Sequence, residues 1–210
     1  ASDVYKRQIY EVPLKMQEQK LDEIVLRKTG MEIGPRPELK PWREFLAHMQ
    51  NAKDTVRIGL VGKYVELQDA YKSINEALFQ AATYNNRKLD LQYIHSEKLT
   101  ENNVEEKLSS MDGLIIAPGF GQRGVEGKFV ALKYAREHDM PTFGICLGMQ
   151  CMVIEYARDV LGYKDANSTE MDVNTPHNVI DLMESQKCIS NMGGTMRLGE
   201  YDCILQEGSK

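Results

Sequence analysis

The sequence has no excess of positive charge. Its formal net charge is −5 at pH 7, so nucleic acid and anionic membrane surfaces are not expected as partners. It also has no apolar run near the roughly 20 residues of a membrane span. The first ten residues, ASDVYKRQIY, show neither an apolar core nor a cleavage pattern of an export signal. Cysteine is sparse. Cys146, Cys151, Cys188 and Cys203 form no C-x-x-C pair and have no histidine at zinc-ligand spacing, so no metal centre is expected. Four thiols without an export signal fit a reducing compartment, and the expectation is a cytoplasmic protein. Histidine is equally scarce, with four in the chain, which restricts the choice of base for any nucleophile. What is present is ordinary: 42% hydrophobic and 27% charged residues in a chain of 210. That is enough for one domain with a real core plus an extension.

Residues 1–54 have few β-branched runs. A helical pattern over 12–30 stops at Gly30, the breaker-rich GPRPELKP follows, and WREFLAHMQNAK reads as a short helix. This region is expected to be a linker with one or two helices. From residue 55 the pattern alternates. TVRIGLVG, LDLQYIHS, DGLIIAP and PTFGIC read as buried strands. DAYKSINEALFQAATY, ENNVEEKLSSM, VEGKFVALKYAREH and the run after Cys146 read as helices. The expected fold class is α/β, an open and mostly parallel sheet with helices on both faces. Ligands in such sheets sit at the carboxyl ends of the strands, the edge that holds Cys146 and the glycines after DGLIIAP. Beyond residue 165 the pattern weakens: NSTEMDVNTPHN reads as loop, NVIDLMES as a short element, and GGTMRLGEYDCILQ as the approach to a last strand. No closing helix follows, so the fold is expected to be incomplete at its C-terminal end.

Gly144-Ile145-Cys146-Leu147-Gly148 has the G-x-nucleophile-x-G form of a nucleophile elbow, with a strand before it and a helix after it. Small residues on both sides allow a strained turn that exposes the sulfur, and the positive end of the following helix favours a thiolate. Gly119-Phe120-Gly121-Gln122-Arg123-Gly124 matches a dinucleotide fingerprint. However, it lies in the third βα unit, follows Pro118, and is succeeded by a strand that ends in cysteine rather than an acid. It fits better as a loop whose backbone N–H, with that of Leu147, forms an oxyanion hole beside Cys146. Gly59-Leu60-Val61-Gly62-Lys63-Tyr64 hints at a phosphate loop, but Arg57 replaces its first glycine and Tyr64 its Ser/Thr. Among the histidines, His48 lies in the linker, His138 at a helix C-terminus, His95 after a strand and His177 in a loop. Nothing in the sequence around His177 suggests an imidazole oriented by a carboxylate, so the nucleophile is expected to lack a base within the chain.

Together, IYEVPL, GLVGKYVELQDAYKS, INEAL, APGFGQRGVEGK, FGICLGMQ, ANSTE and GGTMRLG resemble the CTP synthase family from Ile9 to about residue 205. PGFGQRGVEG and GICLGMQ alone would indicate a class I glutamine amidotransferase; the other segments narrow the resemblance. It implies a flavodoxin-like class I glutaminase domain over 55–210. Residues 1–54 would then be the end of a synthetase domain and the interdomain linker. It further implies that Cys146 forms a glutamyl thioester, that Gly119 and Leu147 supply oxyanion N–H groups, and that Leu147, Gly148, Met149, Gln150 and Glu170 hold L-glutamine. Phe120, Arg123 and Arg197 match a lid region linked to GTP activation. ATP, Mg, UTP, the synthetase domain and a homotetramer are implied for a full-length enzyme, with no cofactor in this chain. The family's histidine and glutamate partners would lie beyond residue 210, leaving this chain inactive alone. Family members often have P-G-G-F-G where this chain has Ala117-Pro118-Gly119-Phe120-Gly121, which keeps the oxyanion glycine. From the residues alone, a non-catalytic nucleotide-binding module and a cysteine hydrolase of related fold stay open as alternatives.

Overall fold

The computed structural model describes residues 2–181, residue 202 and residues 204–208. Four strands form one parallel sheet in the order β2-β1-β3-β4: β1 is Asp54–Gly62, β2 Arg87–His95, β3 Gly113–Ile116 and β4 Thr142–Gly144. β1 pairs with β2 from Asp54↔Arg87 to Gly62↔His95, and with β3 from Ile58↔Gly113 to Val61↔Ile116. β3 pairs with β4 from Leu114↔Thr142 to Ile116↔Gly144.

Alternation along the strands divides the apolar residues between two layers. Leu60, Ile115 and Ala117 pack with Tyr71 and with Ile74 and Leu78 of α4 (Lys72–Tyr84). Val61, Leu114 and Ile116 face the other way, onto α5 (Val104–Leu108), α6 (Val125–Glu137) and α7 (Leu147–Asp159). Burial on both faces is why β3 and the end of β1 read as unbroken apolar runs. The sheet is the expected α/β arrangement. Its order reverses direction between β1 and β3, which opens a crevice at their carboxyl ends.

The N-terminal region contains three helices rather than one or two: α1 (Ser2–Glu18), α2 (Leu21–Thr29) and α3 (Lys40–Asn51). The single helix read over 12–30 is split where Lys20 takes a left-handed conformation, φ 55°. Gly30 ends α2 as expected: its N–H donates to Arg27 O and that of Met31 to Leu26 O. The Tyr10 ring lies 5.5–5.9 Å from those of Trp42, Phe45 and Phe79, joining α1 and α3 to α4. Trp42 Nε1 donates to Tyr10 O at 2.8 Å, and Tyr10 Oη to Glu76 Oε2 at 2.6 Å.

Three further differences have local causes. The helix expected over 101–111 shrinks to Val104–Leu108. Asn103 Oδ1 accepts from Thr100 N–H and its Nδ2 donates to Lys98 O, closing a turn that displaces the first helical turn. The strand expected over 141–146 is only Thr142–Gly144, because the chain bends away at Cys146. Asn167–Ser168, read as loop, forms a short parallel pair, β5, with β6 (Asn178–Ile180). Most of NVIDLMES, and the GGTMRLG segment with Arg197, lie outside the described residues.

Candidate active site

Cys146 is the residue before α7 and adopts φ 53°, ψ −111°, a left-handed backbone that a non-glycine residue holds only under constraint. The constraint is visible in its neighbours. A Cβ at Gly144 would sit 2.5 Å from both Gly148 C and Met149 N. A Cβ at Gly148 would fall inside the Ile116 carbonyl. The turn therefore closes only with glycine at both flanking positions. Ile145 N–H donates to Ile116 O at 3.0 Å, and Gln150 N–H to Cys146 O at 3.1 Å. These bonds anchor the elbow to β3 and to α7. The Cys146 side is exposed, whereas Cys151, one turn along α7, is fully buried. Burial pushes the Cys151 thiol up to about 11, so at neutral pH it stays protonated and inert.

Leu147 opens α7, and the first N–H groups of a helix have no intrahelical acceptor. Gly119 lies next to it: a Cβ there would be 3.7 Å from Leu147 Cδ2. Among the described residues the Gly119 N–H has no acceptor either. Gly119 and the first turn of α7, which follows the exposed Cys146, therefore lie against one another. Gly148 is buried beneath the elbow, while Met149 and Gln150 continue the first turn of α7 with Met149 exposed. Glu170 enters from the far loop, its N–H donating to Ser168 Oγ at 3.1 Å. Gln122 Nε2 donates to the carbonyl of Met171, tethering that loop to the Gly119–Gly124 loop. Phe120 is 69% exposed. Arg123 pairs with Glu97 at 2.6 Å and lies 5.4 Å from the Tyr64 ring centroid. Through these contacts the Gly119–Gly124 loop meets the start of α7, the Glu170–Met171 loop and Glu97, while Arg197 lies outside the described residues.

None of the four histidines stands beside Cys146. His48 is on α3, behind α4 and on the opposite face of the sheet from α7. His95 ends β2, three strands from β4, or about 14 Å along the sheet. His138 follows the C-terminal end of α6, where its Nδ1 is 2.8 Å from Tyr134 O. His177 corrects the sequence reading. Its Nδ1 is 2.6 Å from Asp165 Oδ1 and its ring stacks on Tyr163 at 4.6 Å, so a carboxylate does orient it. The signal was weak because the pair is twelve residues apart and meets only through the turn between β5 and β6. This pair belongs to the C-terminal end of α7, roughly 20 Å of helix from Cys146.

Sequence reasoning also missed two lysines. Lys128 of α6 is 1% exposed and its Nζ donates to Ala117 O at 2.6 Å; Lys63, after β1, is 9% exposed and its Nζ donates to Phe120 O. Burial pushes the Lys128 ammonium below the usual lysine range. Lys128 lies on the apolar face of α6 with Val125, Ala131, Leu132 and Ala135, so helical spacing could have revealed it.

A parallel sheet whose fourth strand leads into a glycine-flanked, exposed thiol at the start of a helix defines a class. The chain belongs to the class-I glutamine amidotransferase family, whose model (Glutamine amidotransferase class-I) matches residues 66–210. It is 67% identical to the CTP synthase of Porphyromonas gingivalis over 96% of this chain and 38% of that protein. It is 66% identical to the CTP synthase of Bacteroides fragilis with the same coverage. Among solved structures it resembles "Trypanosoma brucei CTPS - glutaminase domain with bound acivicin". That likeness has a TM-score of 0.59 and 38% identity, covering 62% of this chain and 51% of the other. The chain thus spans about 38% of the length of these curated relatives.

Proposed function

We propose that residues 55–210 are the ammonia-releasing domain of a cytoplasmic CTP synthase, with residues 1–54 as the end of its synthetase domain and the linker. The observation that carries this reading is the strained, exposed Cys146 at the start of α7, with Gly119 packed against Leu147 of its first turn. The likeness to CTP synthases supports the choice of acceptor. Cys146 Sγ attacks the side-chain amide carbon of L-glutamine. The carbonyl oxygen becomes an oxyanion that takes the N–H groups of Leu147 and Gly119. The C–N bond then breaks, the nitrogen takes a proton and leaves as ammonia, and a glutamyl thioester remains. Water attacks the thioester, giving glutamate and restoring the thiol. Glu170 pairs with the substrate ammonium, Gln150 donates and accepts along its polar end, and Gly148 and Met149 line the turn.

In the whole enzyme, a tetramer, ammonia would aminate UTP that ATP and Mg have activated, with GTP acting at the Phe120 and Arg123 lip and Arg197. The β1 loop does not fit an ATP phosphate site. Gly59 is walled in, since a Cβ there would lie 2.8 Å from Leu114 Cδ2, and the Lys63 ammonium is held by Phe120 O. Among the described residues no group of His, Cys, Asp and Glu could hold a metal ion, and no helix is long and apolar enough to cross a membrane. No described histidine reaches Cys146, so this 210-residue chain is expected to hydrolyse glutamine near the background rate in an ammonia-release assay. It should still be labelled at Cys146 by a glutamine chloroketone, with L-glutamine protecting, as read by peptide mass mapping. Labelling elsewhere, or labelling indifferent to glutamine, would sink the reading.

A further inference from the structure

Gly119 is the most freely rotating residue that an oxyanion donor could be built on. An N–H that swings by tens of degrees loses its aim, and donors of this kind act through being fixed beforehand. Something must therefore hold the turn. Pro118 fixes its own φ, and the carbonyls on either side of the Pro118–Gly119 peptide are each held by a buried lysine. Lys128 Nζ reaches Ala117 O at 2.6 Å, and Lys63 Nζ reaches Phe120 O. Lys63 also lies against the glycine, with Cε and Nζ 3.5 and 3.9 Å from where a Cβ of Gly119 would be.

We propose that Lys63 and Lys128 are positioning residues that clamp the Ala117–Phe120 turn from both sides, so that the Gly119 N–H points at the space above Cys146. Each ammonium comes from a different element, one after β1 and one from α6, so the turn is tied to both sides of the crevice at the β1/β3 reversal. Among the described residues neither has a carboxylate in hydrogen-bond or ion-pair contact, and each donates to a carbonyl instead. Burial and the neighbouring Lys63 ammonium both disfavour the charged form of Lys128. Burying two ammonium groups without carboxylates is costly. A purely structural design would place an apolar side chain at position 128. The positive charge has a use here: it lies behind the turn on which the glutamine oxygen becomes negative.

The chemical half of this proposal rests on the glutaminase reading of Cys146; the clamp itself does not. The test uses the whole chain and the variants Lys128→Met and Lys63→Gln. First, the 15N order parameter of the Gly119 amide should fall from a rigid value near 0.85 to below about 0.6 in either variant. Second, labelling of Cys146 by iodoacetamide needs no oxyanion, whereas labelling by a glutamine chloroketone passes through one. The chloroketone-to-iodoacetamide rate ratio should drop about tenfold or more in each variant. Lys128→Met should do so while its melting temperature holds or rises, an outcome that a merely structural lysine would not produce. An unchanged Gly119 order parameter in a folded variant overturns the clamp, as does an unchanged rate ratio when the wild type shows chloroketone selectivity. A wild type without that selectivity, combined with a loosened Gly119 in the variants, supports the clamp and refutes the glutaminase reading instead.

Discussion

The two ends of α7 contrast in what they hold. At its start, Cys146 is exposed and strained, with φ 53°, and has no imidazole near it. At its end, His177 is paired with Asp165 at 2.6 Å and stacked on Tyr163, with no described thiol near it. A thiol enzyme uses a nucleophile and an oriented base, and here a thiol and an oriented imidazole lie at opposite ends of one helix, about 20 Å apart. The backbone around them differs as well. The start of α7 tolerates no Cβ at either glycine and is pinned to β3, whereas the end lies in exposed loops. Strain held by buried packing sets the start of α7 apart from the polar pair on the surface at its end.

The contrast is tested most severely at Gly148. Gly148→Ala drives a methyl into the Ile116 carbonyl, where neither backbone can yield cheaply. The loss should be about 3 kcal/mol, roughly 10 °C in Tm. A thermal melt within about 2 °C of wild type would show that the elbow is not held as tightly as described.

A smaller effect separates the two cysteines of the same end. The Cys151 thiol is raised from 9.0 to about 11 by burial. The unfolded chain therefore ionises first as pH rises, and stability present below pH 9 is lost on approaching pH 11. Cys151→Ala should flatten this decline by on the order of 2 kcal/mol, seen by comparing urea unfolding at pH 8 and pH 10.5. An equally steep decline in the variant would assign it to other groups. At pH 8, iodoacetamide should modify Cys146 well before Cys151.

The smallest effect is expected at the far end. His177→Ala removes an exposed polar contact with Asp165 and a stacked ring, worth about 1 kcal/mol or less. It should leave Cys146 alkylation unchanged. A several-fold drop in that rate would break the separation of the two ends.

Much of the sheet was legible because β3 and the end of β1 are buried on both faces and read as apolar runs. The elbow was legible because Gly144 and Gly148 are required by local backbone approach, which a pentapeptide can show. The lysine clamp was not. Lys63 reads as a fragment of a phosphate loop, and Lys128 as a polar break in an apolar helix face. Their acceptors, the carbonyls of Phe120 and Ala117, carry no side-chain signature. The His177–Asp165 pair failed for a related reason, since its partners meet through a turn rather than a helical or strand period. The break at Lys20 and the short α5 turn on single-residue conformations that a periodic pattern averages away.

Trp42 is the single tryptophan of the chain. Its indole N–H is bound to the Tyr10 carbonyl at 2.8 Å, and its ring lies 5.5 Å from that of Phe45. The molecule thus carries an intrinsic fluorophore at the seam between its N-terminal helices and α4, on the sheet face opposite α7. Emission from that indole reports undocking of the seam, and a reagent attached to Cys146 sits across the sheet from it. One optical signal can therefore follow the N-terminal helices while chemistry proceeds at the thiol.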